Sequence, residues 1–213
     1  EATTDDAQAI RIDGEEIGSL NAKERRLKGL ASVPEERNGH AAVPDFTLSD
    51  NSVLTGRDRL RLAISGIIRP RAARKYTGEV ISAFDVKTTG TEATAGSLSG
   101  GNLQKYIMGR EILQSPKVLV VAQPTWGVDV GAAAFIRQQL LDLSARGVAI
   151  LVISEELEEL FDICDRIAVL ARGKLSPVRA TGATNAEEIG RWMAGLFGDR
   201  EGAAPSAEQP AHA

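Results

Sequence analysis

Apolar and polar positions change rhythm several times along the chain, and each rhythm predicts an element. From Ile10 to Ile17 they alternate about Asp13-Gly14, which predicts a short hairpin. Residues 1–9 ahead of it read as frayed. Leu30 to Val33 predicts a strand stopped by Pro34, and the polar run Glu35-Glu36-Arg37-Asn38-Gly39 predicts a loop. Between about Phe46 and Gly96 there are helical patches, such as Leu60 to Ile68, broken at Pro70 and Gly90. This predicts a small helical subdomain over 46–96.

Beyond Ser97 the pattern is cleaner. Ser99 can cap a helix that puts Leu103, Tyr106 and Ile107 on one face, with Pro116 after its end. Val118 to Val121 is an uncharged run suited to a strand buried on both faces. A helix after Gly131 carries Ile136, Leu140 and Leu143 at helical spacing, and Gly147 leads into a second buried strand, Val148 to Ile153. A third helix, about Glu156 to Cys164, leads to a strand from Ile167 to Leu170, and Arg172-Gly173-Lys174 turns into Leu175. Alternating buried strands and helices predict an α/β fold with a parallel sheet and right-handed crossovers. Asn185 with Glu188 forms a capping-box pattern for a last helix within 181–197, with Ile189, Trp192, Met193 and Leu196 on one side. The Ala-, Pro-, Ser- and Glu-rich tail, 198–213, predicts disorder.

With 213 residues, 43% of them hydrophobic, the chain can bury a real core. Its formal charge of -4, with acids and bases mixed, leaves no electrostatic footprint for nucleic acid. The longest apolar runs are four to six residues, against about 20 needed to span a bilayer, so a soluble or peripheral protein is expected. The single cysteine, Cys164, excludes an internal disulfide framework and suits a reducing compartment. It reads as a small buried hydrophobe in an apolar helix. His40 and His212 are too few for a histidine metal site, and no metal site is expected.

The most informative string is Leu98-Ser99-Gly100-Gly101-Asn102, placed where a helix begins. A hydroxyl and two side-chain-free amides at a helix N-terminus suit an anion: the glycines allow close approach and the dipole favours phosphate. Taken alone, the same string is more often only a helix cap. Its context changes the balance. It is followed by the buried strand Lys117 to Val121 and then by Gln123-Pro124-Thr125-Trp126-Gly127-Val128-Asp129. In this order these resemble the signature, Walker B and D-loop segments of ATP-binding-cassette ATPases. Val33-Pro34-Glu35-Glu36-Arg37 sits where the family has its Q-loop, and Ile153-Ser154-Glu155 where it has its switch histidine. The resemblance runs from about Ile10 to Leu175. It implies a P-loop-NTPase-like nucleotide-binding domain whose core is 1–45 and 97–180, with the helical subdomain inserted at 46–96.

The departures from the family are equally informative. No Gly-x-x-x-x-Gly-Lys-Ser/Thr occurs; the one Gly-Lys, Gly173-Lys174, is followed by Leu175. In the family the P-loop lies just upstream of the hairpin matched by Ile10 to Ile17, so a truncated N-terminus is expected. ATP binding by this chain alone should then be poor. Loss of that strand and helix would also expose one flank of the core and leave the isolated chain marginally stable.

Where the family's Walker B strand ends in Asp-Glu, this chain has Ala122-Gln123. A methyl group cannot organise Mg2+, and an amide can orient water without accepting its proton. Glu35 stands at the Q-loop position and Glu155 at the switch position. A carboxylate about 4 Å from a γ-phosphate oxygen costs about 4 kcal/mol at an effective dielectric of about 20. Taken together, these four residues predict a site that does not hydrolyse ATP.

Cassettes of the family work as head-to-tail pairs, with ATP between the P-loop of one and the signature of the other. The resemblance therefore implies that Ser99, Gly100, Gly101 and Asn102 bind ATP in trans, that Asp129 is the D-loop acid at the interface, and that Mg2+ is held mainly by the partner cassette. Without the family context Asp129 reads as an ordinary helix N-terminal acid.

Pro-Glu-Glu-Arg, Ala-Gln-Pro-Thr and Gly-Val-Asp-Val-Gly look like the second cassette of tandem ATPases serving simple-sugar and nucleoside importers, and Ala-Gln leans toward the nucleoside branch. Trp126 departs from those relatives, which usually carry Arg there, and reads as a surface aromatic; Trp192 and Met193 read as packing residues. The implied partners are an N-terminal cassette of the same polypeptide or a second copy, two transmembrane permease subunits and, indirectly, a solute-binding protein. The implied location is the cytoplasmic face of a bacterial membrane. Two alternatives stay open: a slowly hydrolysing cassette in its own right, and a soluble cassette protein of repair or translation with no permease.

Overall fold

The structure is a computed structural model that describes residues 10–197. The expectations of fraying over 1–9 and disorder over 198–213 lie outside the described residues. The chain divides into two compact units, Glu1–Glu159 and Leu160–Ala213.

The first unit opens with the expected hairpin, β1 (Arg11–Ile12) and β2 (Glu15–Glu16), paired antiparallel. Asp13 and Gly14 both have positive φ, 51° and 79°, the turn whose twist matches that of the flanking strands. The apolar rhythm carries no signal for the next element, α1 (Ala22–Leu27). It rests instead on a capping box, with the Asn21 side chain accepting from the Glu24 N–H and the Glu24 carboxylate from the Asn21 N–H. Then comes β3 (Leu30–Val33), where a strand is expected.

Residues 46–96 contain α2 (Leu48–Gly56), the antiparallel strands β4 (Ala63–Ile64) and β5 (Ile67–Ile68), and α3 (Pro70–Ala83). Two expectations are corrected here. Leu60 to Ile68 is a hairpin rather than a helical patch, because Ser65-Gly66 takes positive φ, 49° and 81°, and closes a two-residue turn between β-branched residues. Pro70 begins α3 rather than breaking a helix; at the first helical position its missing N–H would have been unpaired in any case. The inward face of α3 is Ala73, Tyr76, Thr77 and Val80.

After a short 3-10 turn (Ala95–Ser97), α4 (Gly100–Ile112) packs on this group with nine of its residues buried. A Cβ on Gly109 would lie 2.6 Å from the Phe84 ring, so only glycine permits this approach. The packing is locked by buried polar contacts. The Tyr106 hydroxyl donates to the Leu48 carbonyl at 2.6 Å, and the Tyr76 hydroxyl to the Arg110 carbonyl at 2.6 Å. Arg110 itself donates to the Ala41 carbonyl at 2.8 Å and to the Glu111 carboxylate at 3.0 Å; Glu111 also meets Arg26 of α1 at 2.8 Å.

The core sheet is β3, β6 (Val118–Ala122) and β7 (Ala149–Ile153), all parallel in that order, with α5 (Val130–Ala145) crossing between the last two. The α/β fold class expected from the sequence is therefore what is found. Both buried-strand expectations need adjustment. In β6 only Leu119 and Val121 are fully buried, and the alternate positions are half-buried. The strand β7 begins at Ala149 and is not buried: Leu151 is 55% and Ile153 52% exposed. It is the edge strand, and no described element of the unit covers the face that carries these residues.

The second unit is reached through α6 (Leu157–Ile163). The expected strand from Ile167 to Leu170 is instead two short ones, and neither joins the parallel sheet. The first, β8 (Arg166–Ile167), pairs antiparallel with β11 (Arg179–Ala180). The second, β9 (Leu170–Ala171), pairs with β10 (Lys174–Leu175) across the expected turn, where Arg172 and Gly173 have φ of 52° and 73°. The cause is local: Ser176 exchanges hydrogen bonds with Val169 between the two pairs and satisfies that backbone without a longer ladder.

The last helix, α7 (Ala186–Met193), is capped by the Asn185 side chain, but Glu188 turns to the Thr184 hydroxyl instead of completing the box. Ile189 and Trp192 are buried as expected, whereas Met193 and Leu196 are exposed. The helix ends at Met193 and the positive φ of Gly195 redirects the chain. Cys164 is half-buried rather than buried.

Candidate functional site

Ser99 is the N-cap of α4. Its backbone is extended (φ -63°, ψ 155°), and its Oγ accepts from the Asn102 side-chain amide at 2.9 Å. The serine proton is left free to donate. Asn102 in turn accepts the Lys87 N–H at 2.7 Å, which ties the cap to the loop after α3. The N–H groups of Gly100 and Gly101 bond no group among the described residues. These are the unpaired donors of a first helical turn, directed outward at the positive end of the helix.

The segment expected to be the D-loop comes against the same turn. A Cβ on Gly101 would lie 3.2 Å from Asp129 Oδ2 and 3.6 Å from Ala132 Cβ, so a side chain there would press on α5. Asp129 does what an ordinary helix acid does, since its Oδ1 caps α5 through the Ala132 N–H at 2.9 Å. Its other oxygen, Oδ2, faces Gly101 in the first turn of α4. Gln104, one turn into α4, donates to the Pro124 carbonyl at 2.9 Å and binds the helix to the segment that follows β6. Gly127, with φ 61°, turns that segment, and Trp126 is exposed beside it.

A second group lies where β6 ends. Ala122 is followed by Gln123 in a left-handed conformation, φ 48°, with its N–H on the Ile153 carbonyl at 2.7 Å. Ser154 Oγ sits 3.4 Å from the Gln123 side-chain oxygen and 3.0 Å from the Glu159 carboxylate, and accepts the Glu156 N–H at 3.1 Å. Glu159 is buried, and its second carboxylate oxygen has no partner among the described residues. Ser154 and Glu159 are the members that sequence reasoning missed. The signal available for them was a serine just before an acid-rich helix start, which reads as capping. Glu35 and Glu155, by contrast, are exposed, and their side chains bond nothing among the described residues.

The two groups differ in what they can hold. The α4 N-terminus offers a hydroxyl and free amides, and it fits a phosphate. The end of β6 itself offers a methyl and an amide, and the Glu159 carboxylate reaches the amide only through Ser154. Among the described residues no three His, Cys, Asp or Glu side chains gather where a metal ion could sit. The methyl of Ala122 and the amide of Gln123 supply no carboxylate to a metal ion at the end of β6. The Arg37 guanidinium stands near the first group, and burial pulls its pKa below the usual arginine value.

No family model matches the chain. Curated proteins and solved structures do. The chain is 35% identical over 190 residues, 89% of its own length, to the guanosine import ATP-binding protein NupO of Bacillus subtilis, of which it covers 37%. It is 33% identical over 190 residues to the nucleoside import ATP-binding protein NupA of Lactococcus lactis, covering 89% of itself and 38% of that protein. Against the ribose import ATP-binding protein RbsA of a Chelativorans strain it is 36% identical over 180 residues, 84% of this chain and 35% of the relative.

Among solved structures, the dimeric post-hydrolysis state of the ATP-binding cassette MJ0796 bound to ADP and Pi superposes with a TM-score of 0.65. The identity is 21%, with 80% of this chain and 72% of the other covered. The fold is thus that of an ATP-binding cassette. The sequence relatives, matched over most of this chain, are ATP-binding proteins of sugar and nucleoside importers. It spans 35–38% of the length of those relatives. Among the described residues no helix is long and apolar enough to cross a membrane.

Proposed function

We propose that this chain is a nucleotide-binding cassette of a nucleoside or simple-sugar importer, that it is the second cassette of its pair, and that it donates its signature to the ATP site of the other. The observation that carries the reading is the contrast between the two groups: a first turn of α4 with free donors beside Asp129, and a β6 whose last residues, Ala122 and Gln123, carry no carboxylate of their own. The names of the relatives support the import role, and the dimeric MJ0796 cassette supports the pairing.

In this reading Ser99 Oγ–H and the Gly101 N–H donate to the terminal phosphate of an ATP whose other end lies on the partner's P-loop. Asn102 holds the serine rotamer and Asp129 borders the contact. Mg2+ is held by the partner. Residues 46–96 are the helical subdomain that meets a permease subunit, 1–45 and 97–180 the core, and a solute-binding protein delivers cargo on the far side of the membrane. The chain then works at the cytoplasmic face.

ATP hydrolysis by the assembled importer tests this. Ser99→Ala and Gly101→Ala should each lower turnover about tenfold or more, whereas Ala122→Asp with Gln123→Glu should change it less than twofold. Silent signature variants would reduce the motif to a helix cap. A large gain from the Walker B pair would favour the second reading, a cassette that turns over at its own site, which the Gln123, Ser154 and Glu159 contacts also suit.

A further inference from the structure

We infer that Arg37 is a second phosphate-binding group of this signature site, contributing its guanidinium to the same nucleotide that Ser99 and Gly101 receive. The inference rests on the signature reading above and deepens it. Arg37 follows the Pro34-Glu35-Glu36 turn that leaves β3, and it is half-buried. Its Nη1 lies 3.0 Å from where a Gly100 Cβ would stand, and its Nη2 3.6 Å from the corresponding point on Gly127. The guanidinium therefore lies against the first turn of the signature helix on one side and the D-loop turn on the other, in room left by two glycines.

A guanidinium carries five N–H donors. In Arg37 none of them bonds a group among the described residues, and no salt bridge is formed. The buried arginine elsewhere in the unit is treated differently: Arg110 has two carbonyls and a carboxylate. Burial lowers the Arg37 pKa, and no ion pair to its guanidinium is found among the described residues.

A partly desolvated cation left unpaired beside free amide donors is matched by an anion from outside the unit. The planar fork suits two oxygens of one phosphate. Its position beside the α4 N-terminus sets which phosphate: the terminal one, on which Ser99 and Gly101 converge. A carboxylate of the partner cassette is the competing occupant.

The experiment compares Arg37→Gln and Arg37→Lys with Ser99→Ala in the assembled importer. It reads KM for ATP and kcat separately, together with nucleotide-free pairing of the cassettes and the thermal midpoint of each variant. The expected result is a KM for ATP raised about tenfold or more by Arg37→Gln, partial recovery in Arg37→Lys, and an unmoved midpoint. An unchanged KM while Ser99→Ala abolishes turnover overturns the role of Arg37 and leaves the signature reading standing. Weaker nucleotide-free pairing with KM unchanged assigns the arginine to a partner carboxylate, and a lowered midpoint alone assigns it to folding; both overturn the inference. Silence of Ser99→Ala as well means that the underlying reading has failed.

Discussion

Replacing Glu111 by glutamine removes the one negative charge in a buried row of three groups. The Glu111 side chain is 0% exposed and holds Arg110, 2% exposed, at 3.0 Å and Arg26, 27% exposed, at 2.8 Å. In Glu111→Gln the Arg110 cation keeps its bonds to the Ala41 and Asn51 carbonyls but loses its counter-charge in a region closed to water. Breaking a buried pair from one side costs about 3–5 kcal/mol. A domain of this kind has about 5–15 kcal/mol in all. With a urea slope of about 2 kcal/mol/M, the unfolding midpoint should fall by about 2 M. Arg26→Ala leaves Glu111 still bound to Arg110 and removes a side chain that already touches water, so its loss should be about 1 kcal/mol. Urea denaturation of the chain, followed by circular dichroism, reads both. The reasoning is refuted if Glu111→Gln costs less than about 1 kcal/mol, or if Arg26→Ala costs as much as Glu111→Gln.

Other consequences follow from the same contacts. Asp129→Ala removes the cap of α5 and should cost about 1 kcal/mol in the same denaturation experiment, with faster amide exchange at Ala132 and Ala133. Stability should also fall on acidification. Glu92 is held below its ordinary value of 4.5 by its hydrogen bond from Arg74 and then by Ser49, and the carboxyls of Glu15 and Asp85 are lowered by Lys28 and Lys87. A depressed carboxyl contributes stability that is complete above its unfolded pKa and is lost as pH falls through the folded one. Thermal midpoints should therefore drop below about pH 4.5, and Glu92→Gln should flatten that decline; an acid limb identical to that of the unsubstituted chain would contradict the assignment.

Much of the architecture was legible in the chain itself. Asp13-Gly14 and Arg172-Gly173 specify their turns because few residue pairs accept two positive φ values in succession. Ser99 and Asn185 marked helix starts for the same local reason, an oxygen within reach of an unpaired N–H. Leu103, Tyr106 and Ile107 were readable as one buried face from spacing alone. The errors arose where the same apolar residues suit two structures. Leu60 to Ile68 satisfies a helical count and a hairpin, and only the Ser65-Gly66 backbone decides between them.

The sequence by itself determined the alternation of strand and helix from α4 to α6 and the residues that start those helices, because each depends on chain-local hydrogen bonding and on a repeat of side chains along one element. Tertiary structure alone decided that β7 is an exposed edge, that Glu111 lies between two arginines, and that Arg37 meets Gly100 and Gly127 with no partner among the described residues. Those facts depend on which distant segments come together. Burial and charge pairing between residues tens of positions apart leave no periodic trace in the chain, so no local pattern announces them.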